Sequence, residues 1–274
     1  MSIFPMLITI ALVSHNNRKD LELLLPSVQT ALKGISSEIL LVDNCSHDST
    51  ASLVEDACSE VSILSESSIL SEINITVNKK RHGYAANQNQ NIAKARGKFI
   101  ALMNPDMIVP ENLFHTLIQF MDQHKDAGIA TCRICNEDGS CQYLNKREPA
   151  LFDLLIRRFL PFRLHGLFKK RLDAYEMRDI GYERVVDVPF VSGSFIFART
   201  SLITEIGGFD EHFFMYFEDV DICRRARKKA RALYCPDAQI IHRWERAAHK
   251  SFKWTVVFAL SGLKYYHKWG FKFF

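Results

Sequence analysis

Several signatures of common protein classes are missing from this sequence of 274 residues. No Gly-x-Gly-x-x-Gly motif follows the first predicted strand, and no Walker-type loop with its lysine occurs, which argues against dinucleotide cofactors and P-loop ATPases. No apolar run reaches the ~20 residues that a membrane-spanning helix needs. Because 47% of the residues are hydrophobic and 24% are charged, the sequence predicts a globular protein rather than a disordered or collagen-like one.

The cysteines do not form a recognisable framework. The seven cysteines are scattered along the chain, so we do not expect disulfides. We expect instead a reducing compartment, by default the cytoplasm. Cys132 and Cys135 have the spacing of a zinc or redox motif, but no second cysteine or histidine pair completes a zinc site. The apolar residues 1–13 lack a basic leading region and a cleavage site, so we expect a buried first strand rather than a signal peptide.

The charge is concentrated at one end of the chain. The whole sequence has a net charge of +4, whereas residues 242–274 contain seven basic residues, one acidic residue and all three tryptophans. This tail therefore carries +6 and the rest carries −2. Interleaved tryptophans and basic residues suit a lipid interface or a polyanion. A helix that docks on the body and exposes a basic face fits equally well, so both interpretations stay open.

The first 110 residues alternate between short apolar runs and segments of helical periodicity. The apolar runs, rich in branched residues, cover residues 7–13, 38–42, 73–77 and 98–103. This alternation predicts parallel βαβ units whose strands are buried on both faces. Ligands bind beyond the carboxyl ends of such strands, so the polar residues that follow each strand are the candidates for a site.

The pattern changes after residue 103. We predict helices over residues 111–124 and 218–230, and an amphipathic stretch over 151–175. We predict strands near residue 129, over 185–198 and over 238–241, and turns at 136–139 and 207–208. No linker rich in proline, glycine or serine separates the two halves. The sequence therefore predicts one α/β domain over 1–241, with a nucleotide-binding half (1–110), an acceptor-binding half (111–241) and an amphipathic helical tail (242–274). A tandem repeat in residues 62–72 is interpreted as a surface connection.

Acidic residues follow two of the predicted strands. Asp43 follows the second strand, where a carboxylate is placed to accept hydrogen bonds from a ribose hydroxyl or a base N–H, while helix capping is the alternative for Ser46 and Asp48 nearby. Asp106 follows the fourth strand and a proline, as a Mg²⁺ or Mn²⁺ on a diphosphate requires. Helix capping is the alternative for Asp106 as well.

A basic segment follows the third strand. Residues 79–82 suit a phosphate, and Gly83 allows the backbone to approach a ligand closely. Asn87 and Asn91 share a helical face in the segment that follows. A solvated basic loop explains the same residues without a ligand.

The densest group of candidates lies in residues 207–221. In the predicted helix, Asp221 has Arg224 and Arg225 at i+3 and i+4, whereas Asp219 has no cation there. The aromatic residues and carboxylates around Asp219 should raise its pKa, which favours a general base. An acidic cluster that complements the helix dipole is the alternative. His242, after the last strand, is either structural or a ligand beside a metal diphosphate.

Taken in order, these segments resemble the inverting family 2 glycosyltransferases of GT-A fold, and most of all their bacterial rhamnosyltransferase branch. The matching segments are Val13-Ser14-His15-Asn16, Val42-Asp43-Asn44, residues 83–87, Asn104-Pro105-Asp106, residues 191–194, residues 208–211, residues 216–221 and His242. The resemblance implies transfer of a sugar, by best guess L-rhamnose from dTDP-rhamnose, to a hydroxyl of a glycan or lipid-linked acceptor in cell-surface polysaccharide synthesis.

The resemblance also assigns roles to individual residues. The donor nucleotide would be bound by Ser14, Asn16, Asp43, Gly83, Asn87 and Asn104. The acceptor would be bound by Gly193, Ser194, Tyr216 and Glu218. Asp106 and His242 would hold Mg²⁺ or Mn²⁺, and Asp219 would deprotonate the acceptor hydroxyl. Asn104 stands where the usual Asp-x-Asp metal motif has its first aspartate, as is common in this branch.

Two other functions remain possible at the level of sequence. A nucleotidyltransferase that makes a nucleotide sugar would need a glycine-rich basic segment after the first strand, and residues 14–20 contain no glycine. A non-catalytic module that binds a membrane or polyanion with a degenerate GT-A fold is supported only by the tail and Asn104. The expected partners are the donor, the acceptor and, through the tail, the inner face of the cell membrane. Nucleic acid is not an expected partner, and the oligomeric state stays open.

Overall fold

The structure, a computed structural model, describes residues 6–55, 70–160, 162–243 and 252–274. The strands in these ranges are β1 (Ile8–Ser14), β2 (Ser37–Asp43), β3 (Leu70–Val77), β4 (Phe99–Met103), β5 (Met107–Ile108), β6 (Ala127–Cys135), β7 (Val186–Asp187), β8 (Phe195–Arg199) and β9 (Arg231–His242). The α-helices are α1 (Arg18–Ala31), α2 (Tyr84–Lys94), α3 (Leu113–Gln123), α4 (Leu151–Phe159), α5 (Lys169–Tyr175), α6 (Thr200–Glu205), α7 (Glu218–Ala226) and α8 (Phe252–Trp269). Residues 50–55 are also helical.

All of these strands belong to one mixed sheet, in the order β3-β2-β1-β4-β8-β6-β9-β5, with β7 paired to β9. The first four strands of this order are parallel, in the register that places Ser14 opposite Asp43 and Leu12 opposite Met103. Strand β8 runs antiparallel to β4 and β6, and β9 runs parallel to β6. The carboxyl ends of β1, β2 and β4 therefore meet at one edge, as the βαβ pattern predicts.

The core occupies both faces of the sheet. In β4, Phe99, Ala101 and Met103 pack into one apolar cluster, and Ile100 and Leu102 pack into the other. Because every residue of this strand is buried, its sequence is continuously apolar rather than alternating. Burial of one such large side chain contributes about 1.5–3 kcal/mol to the stability of the fold. The strands that end at the polar edge of the sheet are therefore firmly packed.

The predicted strands and helices of the first half are confirmed, but the predicted strand over 185–198 is wrong. The chain forms the separate strands β7 and β8, joined by a loop over residues 188–194. Pro189 has no N–H for a strand ladder, and a turn closes where Phe195 N donates to Ser192 O at 3.2 Å. The predicted helix from 218 ends at Ala226, and β9 begins at Arg231 rather than at 238. Of the tandem repeat, residues 62–69 lie outside the described residues.

The C-terminal helix α8 packs on the body. Tyr265 and Tyr266 are buried, and Trp269 Nε1 donates to Asp221 Oδ1 at 2.8 Å. Lys268 Nζ lies 2.7 Å from the same carboxylate, which also pairs with Arg225 at 2.8 Å. Asp221 therefore joins α7 to α8, so the tail helix docks on the body, and a contact of its exposed face with lipid stays a prediction. Trp244 lies outside the described residues.

Candidate active site

A crevice of about 360 Å³ opens at the carboxyl ends of β1, β2 and β4. It is lined by Val13, His15, Asn17, Asn44, Arg81, His82, Tyr84, Asn87, Asn104, Pro105, Asp106, Phe214 and Met215. Most of these side chains are polar or basic, and they come from five separate segments of the chain. The position is the one at which parallel α/β sheets bind nucleotides.

Three predicted donor residues, Ser14, Asn16 and Asp43, are not among the residues that line this crevice. Ser14 is fully buried, and Asp43, also buried, accepts a hydrogen bond from Ser46 N at 3.2 Å. Asn16 is exposed and accepts a hydrogen bond from His47 N at 2.8 Å through Oδ1. These residues hold the turn after β2 in place, so any contact with the nucleotide stays a prediction. By contrast, Asn87 and Asn104 line the crevice as expected.

Asn44 organises the basic segment over the crevice, a role that the sequence did not reveal. Its Nδ2 donates to His82 O at 3.0 Å, and its Oδ1 accepts from His82 N at 2.9 Å. His15 Nδ1 lies 2.8 Å from Asn44 O. This reciprocal pair of hydrogen bonds fixes Arg81 and His82 beside the crevice. The available signal was its position directly after Asp43, at the end of the same strand.

Gly83 allows a close approach, but to protein backbone. A Cβ at this position would lie 2.7 Å from Phe214 O, and Tyr84 N donates to that oxygen at 2.9 Å. No side chain fits in this gap, so glycine is required for packing. Gly83 thereby joins the basic segment to the segment that precedes α7, and its contact with the nucleotide stays a prediction.

Asp106 and His242 lie together at the edge of the crevice. Strand β5 pairs with β9 and places Met107 opposite His242, so Asp106 Oδ2 comes within 3.3 Å of His242 Nε2. Asp106 Oδ1 is buried and has no hydrogen-bond partner among the described residues. No group of three or more potential ligands occurs in the described ranges. Two protein ligands fit a divalent ion whose other ligands are phosphate oxygens and water.

Gln142 sets the orientation of His242 and was not predicted from the sequence. Gln142 Nε2 donates to His242 O and to Asn136 Oδ1, both at 2.7 Å, so its Oε1 must face the imidazole. Nδ1 of His242 lies 2.9 Å from this oxygen and therefore carries the proton. In the neutral imidazole with this tautomer, the lone pair of Nε2 faces Asp106, which is the arrangement that a metal ligand requires.

We expect Gln142→Leu to weaken Mn²⁺ binding by about 10- to 100-fold, because the imidazole loses the acceptor that fixes its tautomer. Calorimetric titration of Mn²⁺ in the presence of a nucleoside diphosphate measures this effect. Gln239→Leu is the matched control, since Gln239 is an exposed residue of the same strand as His242. Equal Mn²⁺ affinity of the Gln142 variant and the wild type would show that Gln142 does not support metal binding.

Asp219 lies in the first turn of α7, and two residues with a strained backbone conformation come just before this helix. Tyr216 and Phe217 have φ values of 68° and 67°, a conformation that is costly for aromatic residues and that occurs at functional sites. The carboxylate accepts hydrogen bonds from Gly193 N at 3.0 Å and Val220 N at 2.9 Å. A Cβ on Gly193 would lie only 3.1 Å from Asp219 Cβ. The Gly193 loop therefore fixes the position of the carboxylate.

Burial controls the titration of the two acidic residues at this helix start. It raises the pKa of Asp219 above its usual 3.8, although the hydrogen bond from Gly193 N opposes the change. Glu218 is buried, and desolvation followed by the charge of Asp219 holds its pKa well above the usual range. Glu218 Oε2 has no hydrogen-bond partner among the described residues. Asp219 as a residue is partly exposed, whereas both of its carboxylate oxygens accept hydrogen bonds from backbone N–H groups.

The loop over residues 192–194 connects Asp219 to the crevice. Asn104 N donates to Ser194 O at 3.0 Å, and Tyr84 OH donates to Gly193 O at 3.0 Å. The predicted acceptor residues Gly193 and Ser194 thus lie between the crevice and Asp219. Tyr216 lies on the other side, with its ring 5.6 Å from that of Phe258 in α8. One edge of the sheet therefore combines a polar crevice, the facing side chains of Asp106 and His242, and the carboxylate of Asp219 behind the Gly193 loop.

Comparison with known families identifies the chain. Residues 9–203 match the model of glycosyl transferase family 2. The chain belongs to this family. Membership makes it a glycosyltransferase and favours sugar transfer over nucleotidyl transfer or a non-catalytic role.

Two relatives are rhamnosyltransferases. Rhamnosyltransferase WbbL of Escherichia coli (strain K12) is 28% identical over 191 residues, which are 64% of this chain and 67% of that protein. N-acetylglucosaminyl-diphospho-decaprenol L-rhamnosyltransferase of Mycobacterium tuberculosis is 26% identical over 248 residues, 84% of this chain and 74% of that protein. These matches confirm the resemblance to family 2 glycosyltransferases of the rhamnosyltransferase type.

Solved structures confirm the predicted GT-A fold. S. aureus TarS 1-349 in complex with UDP-GlcNAc has a TM-score of 0.62 at 18% identity and covers 95% of this chain. The mannosyltransferase PcManGT from Pyrobaculum calidifontis, in complex with GDP-Man and Mn²⁺, has a TM-score of 0.63 at 16% identity and covers 97%. This chain spans 67% and 64% of those two chains, and 37% of a longer TarS structure.

Proposed function

We propose that this glycosyltransferase moves L-rhamnose from dTDP-rhamnose to a hydroxyl of a lipid-linked glycan, in the synthesis of a cell-surface polysaccharide. Similarity to the two rhamnosyltransferases supports the sugar, and the name of the mycobacterial relative supports a sugar-diphospho-lipid acceptor. The observation that carries the proposal is the position of Asp219, which the Gly193 loop joins to the crevice with the Asp106–His242 pair.

The donor is proposed to lie in the crevice with its diphosphate at Asp106 and His242. These two residues would hold Mg²⁺ or Mn²⁺, which would supply positive charge to neutralise the leaving diphosphate. Arg81 and His82, fixed by Asn44, add positive charge or hydrogen-bond donors beside the phosphates. Asn87 and Asn104 are proposed to contact the nucleotide sugar through their amides, because both line the crevice.

Asp219 is proposed as the general base of an inverting reaction. It accepts the proton of the acceptor hydroxyl as the acceptor oxygen bonds to the anomeric carbon of the sugar. The bond between that carbon and the diphosphate oxygen breaks on the opposite face, so the configuration inverts and the nucleoside diphosphate leaves with the electron pair. The raised pKa makes Asp219 a stronger base than an ordinary aspartate, and the fixed orientation of the carboxylate keeps it ready for transfer.

Incubation with dTDP-rhamnose, UDP-GlcNAc or GDP-mannose, each with Mn²⁺ and a sugar-diphospho-lipid, tests the proposed function by mass spectrometry of the lipid product. We expect the mass of one deoxyhexose to be added from dTDP-rhamnose alone. Proton NMR of the product should show the anomeric configuration opposite to that of the donor. Addition of another sugar would correct the donor class, and no addition from any donor would refute the proposed activity.

The C-terminal helix is proposed to rest on the cytoplasmic face of the cell membrane. No helix in the described ranges is long and apolar enough to cross a bilayer, so the contact would be peripheral. Phe252 and Phe274 are 84% and 76% exposed, and Leu260 and Leu263 of α8 are more than half exposed. The exposed lysines Lys253 and Lys264 lie on the same helix as these apolar groups, as an anionic lipid surface favours.

We expect the double variant Phe252→Glu and Leu260→Glu to bind anionic vesicles at least 10-fold more weakly than the wild type. The new carboxylates are repelled by the lipid head groups and remove apolar contact area. Sedimentation with vesicles of phosphatidylglycerol and phosphatidylcholine measures the binding. Leu23→Glu on α1 is the control, because Leu23 is also an exposed leucine on a helix. Undiminished binding of the double variant would refute the membrane assignment.

A further inference from the structure

Lys146 lies near Asp219 and has no role in the chemistry described so far. Its backbone exchanges hydrogen bonds of 2.9 and 3.0 Å with Phe190, just before the loop that carries Gly193. Its Nζ lies 5.4 Å from the centroid of the Phe190 ring. Among the described residues, Nζ forms no ion pair and no hydrogen bond. Lys146 thus has no salt bridge of its own in the described ranges, although the charge of Asp219 acts on it.

The charges around Lys146 do not balance. Burial, followed by the nearby charge of Arg157, lowers the pKa of Lys146 to about 7, and Asp219 and Glu176 oppose this change only in part. Glu176 is already shared, because it lies 3.1 Å from Arg157 Nη1 and 2.6 Å from Arg178 Nη2. An anionic ligand would supply the missing charge and favour the protonated form of Lys146.

The surroundings of Lys146 lead from Asp219 to the apolar helix α8. Arg158, next to Arg157 in the last turn of α4, donates to Thr255 Oγ1 of α8 and lies 6.0 Å from the ring of Phe258. Asp219, this group of basic side chains and helix α8, which also carries the exposed residues Phe252 and Leu260, therefore lie in one part of the molecule. A sugar-diphospho-lipid presents a hydroxyl, a diphosphate and a lipid chain, one for each of these three.

We propose that Lys146, assisted by Arg157, binds the diphosphate of the acceptor and so selects phosphate-linked acceptors over uncharged glycosides. The assignment rests on the proposed function for the identity of the acceptor. Lysine suits this task as a compact point charge on a flexible stem, and its contact with phosphate is a charge-assisted hydrogen bond. Lys146 is a binding residue here, whereas Asp219 alone takes the proton.

A binding experiment tests the assignment without turnover. The donor site is filled with dTDP and Mn²⁺, and farnesyl diphosphate is then titrated into the full-length protein by calorimetry. We expect Lys146→Gln to bind it at least 10-fold more weakly, and Lys146→Arg to retain most of the affinity. Lys33→Gln, at an exposed lysine after α1, is the control, and unchanged dTDP affinity shows that the variants are folded. Equal affinity of Lys146→Gln and wild type would overturn the assignment.

A kinetic experiment separates phosphate binding from an effect on the base. Two acceptors carry the same sugar, one as the farnesyl diphosphate and one as the farnesyl glycoside. We expect Lys146→Gln to raise KM at least 10-fold for the diphosphate acceptor and to leave KM and kcat for the glycoside within 2-fold. Equal losses on both acceptors would mean that Lys146 acts through Asp219, which overturns the proposal. If the wild type uses neither acceptor, the proposed function fails, and the binding experiment still decides the role of Lys146.

Discussion

Asp219→Asn is expected to lower kcat for sugar transfer by about 10³-fold, because a general base contributes roughly 10²- to 10⁴-fold and the amide cannot accept the proton. The affinity for dTDP should not change, since Asp219 does not line the crevice and hydrogen-bonds to the Gly193 loop beside it. Initial rates of transfer and calorimetric titration of dTDP measure the two quantities on the same preparation. The variant thus separates chemistry from donor binding.

Asp237→Asn is the control for this variant, because Asp237 is an exposed aspartate of β9 and should leave both quantities unchanged. Turnover of Asp219→Asn within 10-fold of the wild type would contradict the assignment of the base. A loss of dTDP affinity equal to the loss of rate would instead place Asp219 in the donor site.

The dependence of the rate on pH gives a second readout of Asp219. The base must be ionised to act, so kcat/KM should fall as the pH drops through the pKa of Asp219. Burial raises that pKa above the usual 3.8, so the fall should begin at a higher pH than for an ordinary aspartate. The residual rate of Asp219→Asn should lack this acidic limb.

Asp106→Asn is expected to abolish the metal-dependent part of nucleotide binding and to reduce transfer by about 100-fold or more. The amide keeps the size of the side chain but loses the charge that a hard divalent ion requires. Titration of dTDP with and without Mn²⁺ measures the effect. His242→Gln should act in the same direction, since the two side chains lie 3.3 Å apart.

The control for the metal site is Asp126→Asn, at an exposed aspartate that pairs with Arg231 next to β6. It should retain both the nucleotide affinity and its response to Mn²⁺. An unchanged Mn²⁺ response in both Asp106→Asn and His242→Gln would refute the assignment of the pair as metal ligands.

Features that depend on the order of strands followed from the sequence. The apolar runs predict β1, β2 and β4, and polar residues at the ends of such strands meet at one edge whatever the details of packing. Asn104 and Asp106 therefore lie in the crevice as expected. The resemblance to the family paired Asp106 with His242, which the register of β5 and β9 brings together.

Features that depend on which way a side chain faces could not be predicted from the sequence. Ser14 is the last residue of β1 and points into the protein, whereas its neighbours Val13 and His15 line the crevice. Periodicity gives no direction in a strand that is buried on both faces, because both faces are apolar. Asp43 is buried for a related reason, since it accepts hydrogen bonds from the turn that it begins.

The roles of residues that long-range contacts position could not be predicted from the sequence either. Gln142 reaches His242 only because the chain turns back after β6, and Lys146 reaches the Gly193 loop through one isolated bridge with Phe190. Neither segment has the periodicity of a strand or a helix. The strand predicted over 185–198 hid the loop that holds Asp219, although Pro189 already indicated a break.

The most direct test of the donor site is the thermal stability of the wild-type protein with UDP, dTDP, GDP or CMP, each with and without Mn²⁺ or Mg²⁺. A ligand that binds the folded state raises the melting temperature, and the rise grows with the logarithm of its concentration relative to its Kd. We predict a metal-dependent rise with dTDP that disappears in Asp106→Asn. No rise with any nucleotide, in the presence of either ion, would contradict the account of the crevice as a nucleotide-sugar site.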